Sequence, residues 1–198
     1  VAGYLPLSCA HWNSSVIRLH DLVEPRFSEP ALPPGIRIYA VGDIHGRADL
    51  LHDVIQRIED DVVRRPIAHV VEVYIDDYID RGPQSKNVIE TLAWRVAQRR
   101  AVCLRGNHEA LLEAFLADPA GLHPWLYVGA CSTLVSYGLS DADLNASEFR
   151  IHRRLHESFP EAHYLFLGCL QNSFVCGDFL FVHAGLRPGI PLAQQSSQ

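Results

Sequence analysis

The sequence predicts an α/β fold built on parallel strands. Three observations carry that prediction. Apolar runs rich in Val and Ile alternate with helix-period segments from Ile36 to Ala117, the pattern of right-handed strand–helix–strand units. Each run gives way at once to a cluster of Asp, His, Asn or Arg, and in open α/β sheets ligands gather outside the carboxyl ends of the strands. The length of 198 residues, with 48% hydrophobic and 20% charged residues, suits one globular domain with a real core.

The segment from Val1 to Gly35 lacks clean periodicity. Val16–Leu19 reads as a short strand, and four prolines between Glu24 and Gly35 read as a linker. Residues 1–35 are therefore expected to be an extension and residues 36–198 the functional domain. Ile36–Val41 is the first clear strand. Leu50, Leu51, Val54, Ile55, Ile58 and Val62 then recur at three- and four-residue steps, predicting a helix over Ala48–Arg64 that Pro66 stops. His69–Ile75 is the second strand. After a polar loop, Ser85 is expected to cap a helix reaching Arg99, with Val88, Ile89, Leu92 and Val96 inward. Ala101–Leu104 is the third strand, Arg105–Glu109 its exit loop, and Ala110–Ala117 a helix. From Gly121 to Gly168 the chain reads as irregular helix, with Trp125, Leu126, Leu134, Val135, Phe149, Leu155, Phe159 and Leu165 as core or lid. Ser173–Cys176 and Phe179–Val182 read as a hairpin turning at Gly177-Asp178.

Composition bounds the function. A net charge of −6 argues against sequence-independent nucleic-acid binding, which needs a basic stripe. No stretch has the length of a membrane span, and no signal peptide opens the chain, so a cytoplasmic location without membrane partners is expected. The five cysteines form no Cys-x-x-Cys pair and read as reduced thiols.

The chemistry sits in the polar clusters: Asp43 and His45; Asp77, Asp80 and Arg81; Asn107 and His108; and His183. Turn preference explains an Asp or Asn at any one of these places. It does not explain histidines and an arginine joining them at successive strand exits. Asp43 and His45, two apart in an extended turn, are expected to aim at one point and share a cation. His152 and His156 stand one helical turn apart without a zincin motif and read as part of a solvated Arg/His-rich face.

Gly42-Asp43-x-His45-Gly46, Asp77-x-x-Asp80-Arg81-Gly82, Arg105-Gly106-Asn107-His108-Glu109 and His183-Ala184-Gly185-Leu186 together resemble the calcineurin-like metallophosphoesterases. The wording is similar to the phosphoprotein phosphatase branch, with its bacterial and phage serine/threonine phosphatases, and Thr133–Gly138 also resembles those members. The resemblance implies a four-layer α/β/β/α sandwich with two mixed sheets and a binuclear site. Asp43, His45 and Asp77 would hold one ion, and Asp77 would bridge to a second held by Asn107 and His183. Manganese is the first expectation, with iron or zinc as alternatives.

Water activated between the metals would attack a phosphomonoester directly. His108 would be the general acid, Asp80 its orienting partner, and Arg81, Asn107 and His108 the phosphate-binding groups. A phosphorylated protein is the expected substrate. Hydrolysis of diadenosine tetraphosphate or another small phosphoester is the alternative, and a non-catalytic metal-binding relative the third reading. Two departures stand out. Asp76 occupies a position where the family has Gly. The chain stops before the family's last metal-binding histidine, so a C-terminally truncated member with an incomplete second site is expected.

Overall fold

The structure is a computed structural model and describes residues 3–4, 29–75, 77–98 and 101–195. The expected Val16–Leu19 strand and Asp76 lie outside the described residues, as do Arg99 and most of the 1–35 extension. A short strand, β1 (Gly3–Tyr4), precedes β2 (Ile36–Val41), α1 (Ala48–Arg64), β3 (His69–Tyr74), α2 (Ser85–Ala97), β4 (Ala101–Cys103) and α3 (Asn107–Ala117). Helices α4 (Leu122–Leu126), α5 (Ala130–Ser136), α6 (Asp141–Leu144), α7 (Glu148–Ser158) and α8 (Glu161–Gly168) follow, then the hairpin β5 (Ser173–Cys176) and β6 (Phe179–Val182).

Strand β3 is the spine. It pairs in parallel with β2 along its whole length, with β1 at its start and with β4 at its end. Its side chains alternate as a strand buried on both faces requires. Val71 and Val73 pack with Val102, Leu104 and the hairpin residues Phe174 and Phe181. Val70 packs with Ile58 and Val62 of α1, and Tyr74 joins the main core with Ile89 and Leu92 of α2. Helices thus cover one face of the parallel sheet and the antiparallel hairpin covers the other. These are the first three layers of the expected sandwich. Among the described residues there is no helical layer outside the hairpin.

A buried ion pair ties the layers together. The guanidinium of Arg95, on α2, forks onto both carboxylate oxygens of Glu72 on β3 and also reaches Glu59 of α1. Tyr74 donates its hydroxyl to the same Glu72. Glu72 is fully buried and Arg95 nearly so.

Three local readings change. Helix α3 begins at Asn107, not Ala110, because Glu109 turns back and accepts from the Gly106 N–H, satisfying a donor at the helix start. Ser85 is the first helical residue and not the cap; its hydroxyl accepts from the Asp80 N–H instead. In the irregular region Trp125, Leu134, Leu155 and Phe159 are buried, whereas Leu126, Val135, Phe149 and Leu165 are exposed. Short helices there show one face each to the core, so apolar character alone does not report burial.

Candidate metal centre and catalytic site

Three loops leave the parallel strands at the same edge. The first, after β2, holds Asp43 and His45; the second, after β3, holds Asp77, Asp80 and Arg81; the third, after β4, runs straight into α3 with Asn107 and His108. The first two are laced by backbone hydrogen bonds. The Ile44 and His45 N–H groups both donate to the Asp77 carbonyl, Gly46 N–H to Tyr78, and Gly82 N–H to His45. His45, Asp80 and Arg81 adopt positive φ values of 43°, 70° and 62°. Such conformations cost non-glycine residues of order 1–3 kcal/mol each and cluster at functional sites. The first loop is therefore not extended: Asp43 and His45 converge through a left-handed turn. Gly46 and Gly82 meet so closely that a Cβ at 46 would stand 2.5 Å from the Gly82 carbonyl oxygen.

Asp77 is the centre of the arrangement. Its Oδ2 lies 3.8 Å from His45 Nε2 and 3.6 Å from His108 Nε2, while its Oδ1 lies 3.9 Å from His183 Nε2. Asp43 Oδ2 is 3.6 Å from His45 Nε2. His183, delivered by the end of β6, stands with Nε2 2.9 Å from the Asn107 side-chain oxygen. All five predicted ligands form one chain of near neighbours, with the two oxygens of Asp77 facing different histidines. The ligand atoms of His45, Asp77 and His108 also lie within 4.8 Å of one another. Asp77 can approach this closely because residue 106 is Gly; a Cβ there would stand 2.2 Å from Asp77 Oδ1.

The donor set fits a cation. His45 Nδ1 is 2.9 Å from the Ile79 carbonyl, which can only accept, so Nδ1 carries the proton. Nε2 is then a bare lone pair, buried with no hydrogen-bond partner among the described residues, and it faces two carboxylates. That arrangement is repulsive without a positive charge between the groups, and it is the usual orientation of a metal-binding histidine. Burial pushes the His183 imidazole below its ordinary pKa, with the Asp43 charge partly opposing; a neutral ring is the ligating form.

His108 differs. Its Nδ1 lies 2.6 Å from Asp80 Oδ2, leaving Nε2 directed at the site. Burial disfavours its charged form, but the Asp80 hydrogen bond and the charges of Asp77, Asp80 and Glu109 outweigh burial and raise its pKa. Asp80 is held from every side. Trp125 Nε1 donates to Oδ2 at 2.8 Å and Thr133 Oγ1 to Oδ1 at 2.6 Å, while its own N–H donates to Thr133 Oγ1 at 2.9 Å. Arg81 beside it is exposed at the rim, bordered by Gly129 ahead of α5.

Sequence reasoning missed three supporting residues. Glu109 bridges two loops, accepting from the Tyr78 N–H through Oε1 and the Gly106 N–H through Oε2. Burial pushes it up to about 7, partly offset by the Tyr78 hydrogen bond. Trp125 and Thr133 were legible only as core and motif neighbours, since nothing local links them to Asp80, 45 and 53 residues away. Glu109 carried the one available signal, a Glu three positions after a helix-starting Gly.

Parallel strands with a carboxylate-imidazole cluster at their exits place a candidate cation site on an α/β/β scaffold. The chain belongs to the calcineurin-like phosphoesterase family, whose profile matches residues 36–196. It is 28% identical over 159 residues to a bis(5'-nucleosyl)-tetraphosphatase PrpE [asymmetrical] of Halalkalibacterium halodurans, covering 74% of this chain and 56% of that protein. The protein of the same name from Anoxybacillus flavithermus is 28% identical over 152 residues, with the same coverage. The chain thus spans about half the length of the curated relatives it matches. A crystal structure of a candidate diadenosine tetraphosphatase superposes with a TM-score of 0.49 at 18% identity, covering 83% of this chain and 61% of that one. Protein PH1004 from Pyrococcus horikoshii OT3 gives 0.43 at 18% identity, with coverage of 71% and 50%. Among the described residues no helix is long and apolar enough to cross a membrane.

Proposed function

We propose that this chain carries the binuclear metal centre of a phosphoesterase that cleaves small nucleotide phosphoesters, with dinucleoside polyphosphates such as diadenosine tetraphosphate as the first substrate class. The observation that carries the binuclear reading is the split of Asp77, one oxygen toward His45 and the other toward His183. In this reading Asp43, His45 and Asp77 hold one ion, and Asp77, Asn107 and His183 the other. Hard carboxylates mixed with imidazoles and no thiolate suit manganese, with iron or zinc as alternatives. When bound, the ions supply charge neutralisation at the phosphoryl oxygens and make a water acidic enough to attack phosphorus near neutral pH.

The chain's own residues do the rest. Arg81, exposed at the rim, offers a planar fork to phosphoryl oxygens. His108 donates its Nε2 proton to the departing oxygen, and Asp80 holds Nδ1–H so that Nε2 faces inward. Trp125 and Thr133 fix Asp80, and Glu109 fixes the two loops that carry Asp77 and Asn107.

The substrate class rests on the names of the curated relatives. A second reading, phosphoserine or phosphothreonine hydrolysis in proteins, is favoured by the wording Asp80-Arg81-Gly82 and Gly106-Asn107-His108-Glu109. One comparison separates them: turnover of diadenosine tetraphosphate, a phosphopeptide and an aryl phosphate by the full-length natural protein with added manganese. Hydrolysis confined to the phosphopeptide would sink the nucleotide reading, and turnover of none would return the chain to a non-catalytic metal-binding role. Asp77→Asn is expected to lower bound metal as well as rate; a variant with unchanged metal content would remove Asp77 from the ligand set.

A further inference from the structure

Helix α7 carries a second cluster that the phosphoesterase site does not use. His152 and His156, one turn apart, lie on the face turned toward the C-terminal end of α3. They are not the free, solvated side chains that their sequence context suggests. His152 is half-buried, with its ring edge-on to Phe115. His152 Nε2 lies 3.2 Å from the Leu116 carbonyl oxygen, His156 Nε2 lies 3.0 Å from the same oxygen, and the two nitrogens are 3.1 Å apart. The carbonyl oxygen can only accept, so in the metal-free protein a histidine Nε2–H points into this small volume, and a cation entering it would take the proton's place.

The carbonyl belongs to the last turn of α3, where helix oxygens lack intrahelical partners and carry the negative end of the dipole. On the far side of the His156 ring, Tyr164 Oη of α8 lies 2.7 Å from Nδ1, with its own ring stacked at 6.0 Å.

We propose that this cluster is a binding site for an imidazole-preferring divalent metal of the zinc class, with His152 Nε2 and His156 Nε2 as ligands. The Leu116 carbonyl oxygen and water complete the coordination. Two nitrogens bound to one zinc at about 2.0–2.1 Å and near-tetrahedral angles stand about 3.3 Å apart, close to the spacing found here. Ligation through Nε2 leaves the His156 Nδ1–H to donate to Tyr164 Oη, the outer hydrogen bond that orients metal-binding histidines. The ligand set is nitrogen-rich and holds no carboxylate, which separates it from the carboxylate-imidazole cluster at the strand exits. A metal here would tie the end of α3 to α7 and, through Tyr164, to α8. Since α3 begins at Asn107 and His108, the clamp would sit at the opposite end of the helix that presents those residues. The proposal does not depend on the substrate or mechanism assigned above.

The test uses zinc alone as the probe. Wild-type protein and a His152→Gln/His156→Gln variant are equilibrated with the same buffered free zinc and their zinc content per chain is measured. Thermal midpoints in EDTA establish that both are folded. The wild type is expected to hold one zinc per chain more than the variant, and Tyr164→Phe to weaken that extra site about 10–100-fold without removing it. Equal zinc content in the folded variant overturns the proposal. Should the double variant not fold, His156→Gln alone, altered at an exposed side chain, decides by the same comparison.

Discussion

Asp80→Asn probes how the fold prepares His108. Asparagine has nearly the shape of aspartate and can keep every contact. Its carbonyl oxygen can take the Oδ2 place and accept from His108 Nδ1–H and Trp125 Nε1–H, while its NH2 takes the Oδ1 place opposite Thr133 Oγ1. The charge alone is lost. A hydrogen bond to a charged partner contributes about 1.5–3 kcal/mol and a neutral one about 0.5–1.5, so the imidazolium loses roughly 1–1.5 kcal/mol of support. The His108 pKa is therefore expected to fall. The assay is a proton NMR titration of His108 in metal-free protein, where wild type is expected above the ordinary value of 6.5. In manganese-loaded full-length protein, a general acid with a weakened partner is expected to cost about 10–100-fold in rate, below the roughly 10²–10⁴ that removal of a general acid costs. An unchanged His108 titration in a folded Asp80→Asn protein would refute the electrostatic account. An altered titration with unchanged turnover would refute the general-acid role.

Two further outcomes follow from buried groups away from the site. Arg95→Met leaves the Glu72 carboxylate buried without its fork and is expected to cost about 3–5 kcal/mol in urea unfolding, most of it recovered by adding Glu72→Gln; a loss under 1 kcal/mol would show that water reaches Glu72. His163 is buried beside the Tyr137 hydroxyl, and burial holds its pKa below 6.5. The unfolded chain then binds the proton first as pH falls, so the stability His163 supplies is present above 6.5 and drains away below it. The urea midpoint is expected to drop between pH 7 and 5 more steeply in wild type than in His163→Gln; parallel slopes would count against the assignment.

The layered fold was legible because its signals are local. Ile36–Val41 and Ala48–Arg64 announce a strand and an amphipathic helix from their own spacing, and both are found within those limits. The ligand candidates were legible as residue types at strand exits, and Asp43, His45, Asp77, Asn107 and His183 do stand together. The conformation that brings them together was not. Nothing in Gly42–Gly46 alone states that His45 enters the left-handed region, because the bonds that hold it come from Asp77 and Gly82. The grip of Trp125 and Thr133 on Asp80 was hidden for the same reason: a hydrogen bond between residues dozens of positions apart leaves no periodicity. The exposed Phe149 and Leu165 mislead in the other direction, since an apolar side chain on a short helix has no strong pattern to place it.

The contact between Gly46 and Gly82 has a consequence for how the centre can vary. The distance between the two loops is set by peptide groups touching directly, with no side chain between them as a spacer. Exchanging one of the proposed ligand side chains for another therefore leaves the gauge of the cradle intact. A single methyl group at either glycine acts as a wedge: it parts the loops that carry His45 and Arg81, so the cluster loses its geometry while every one of its side chains is still present.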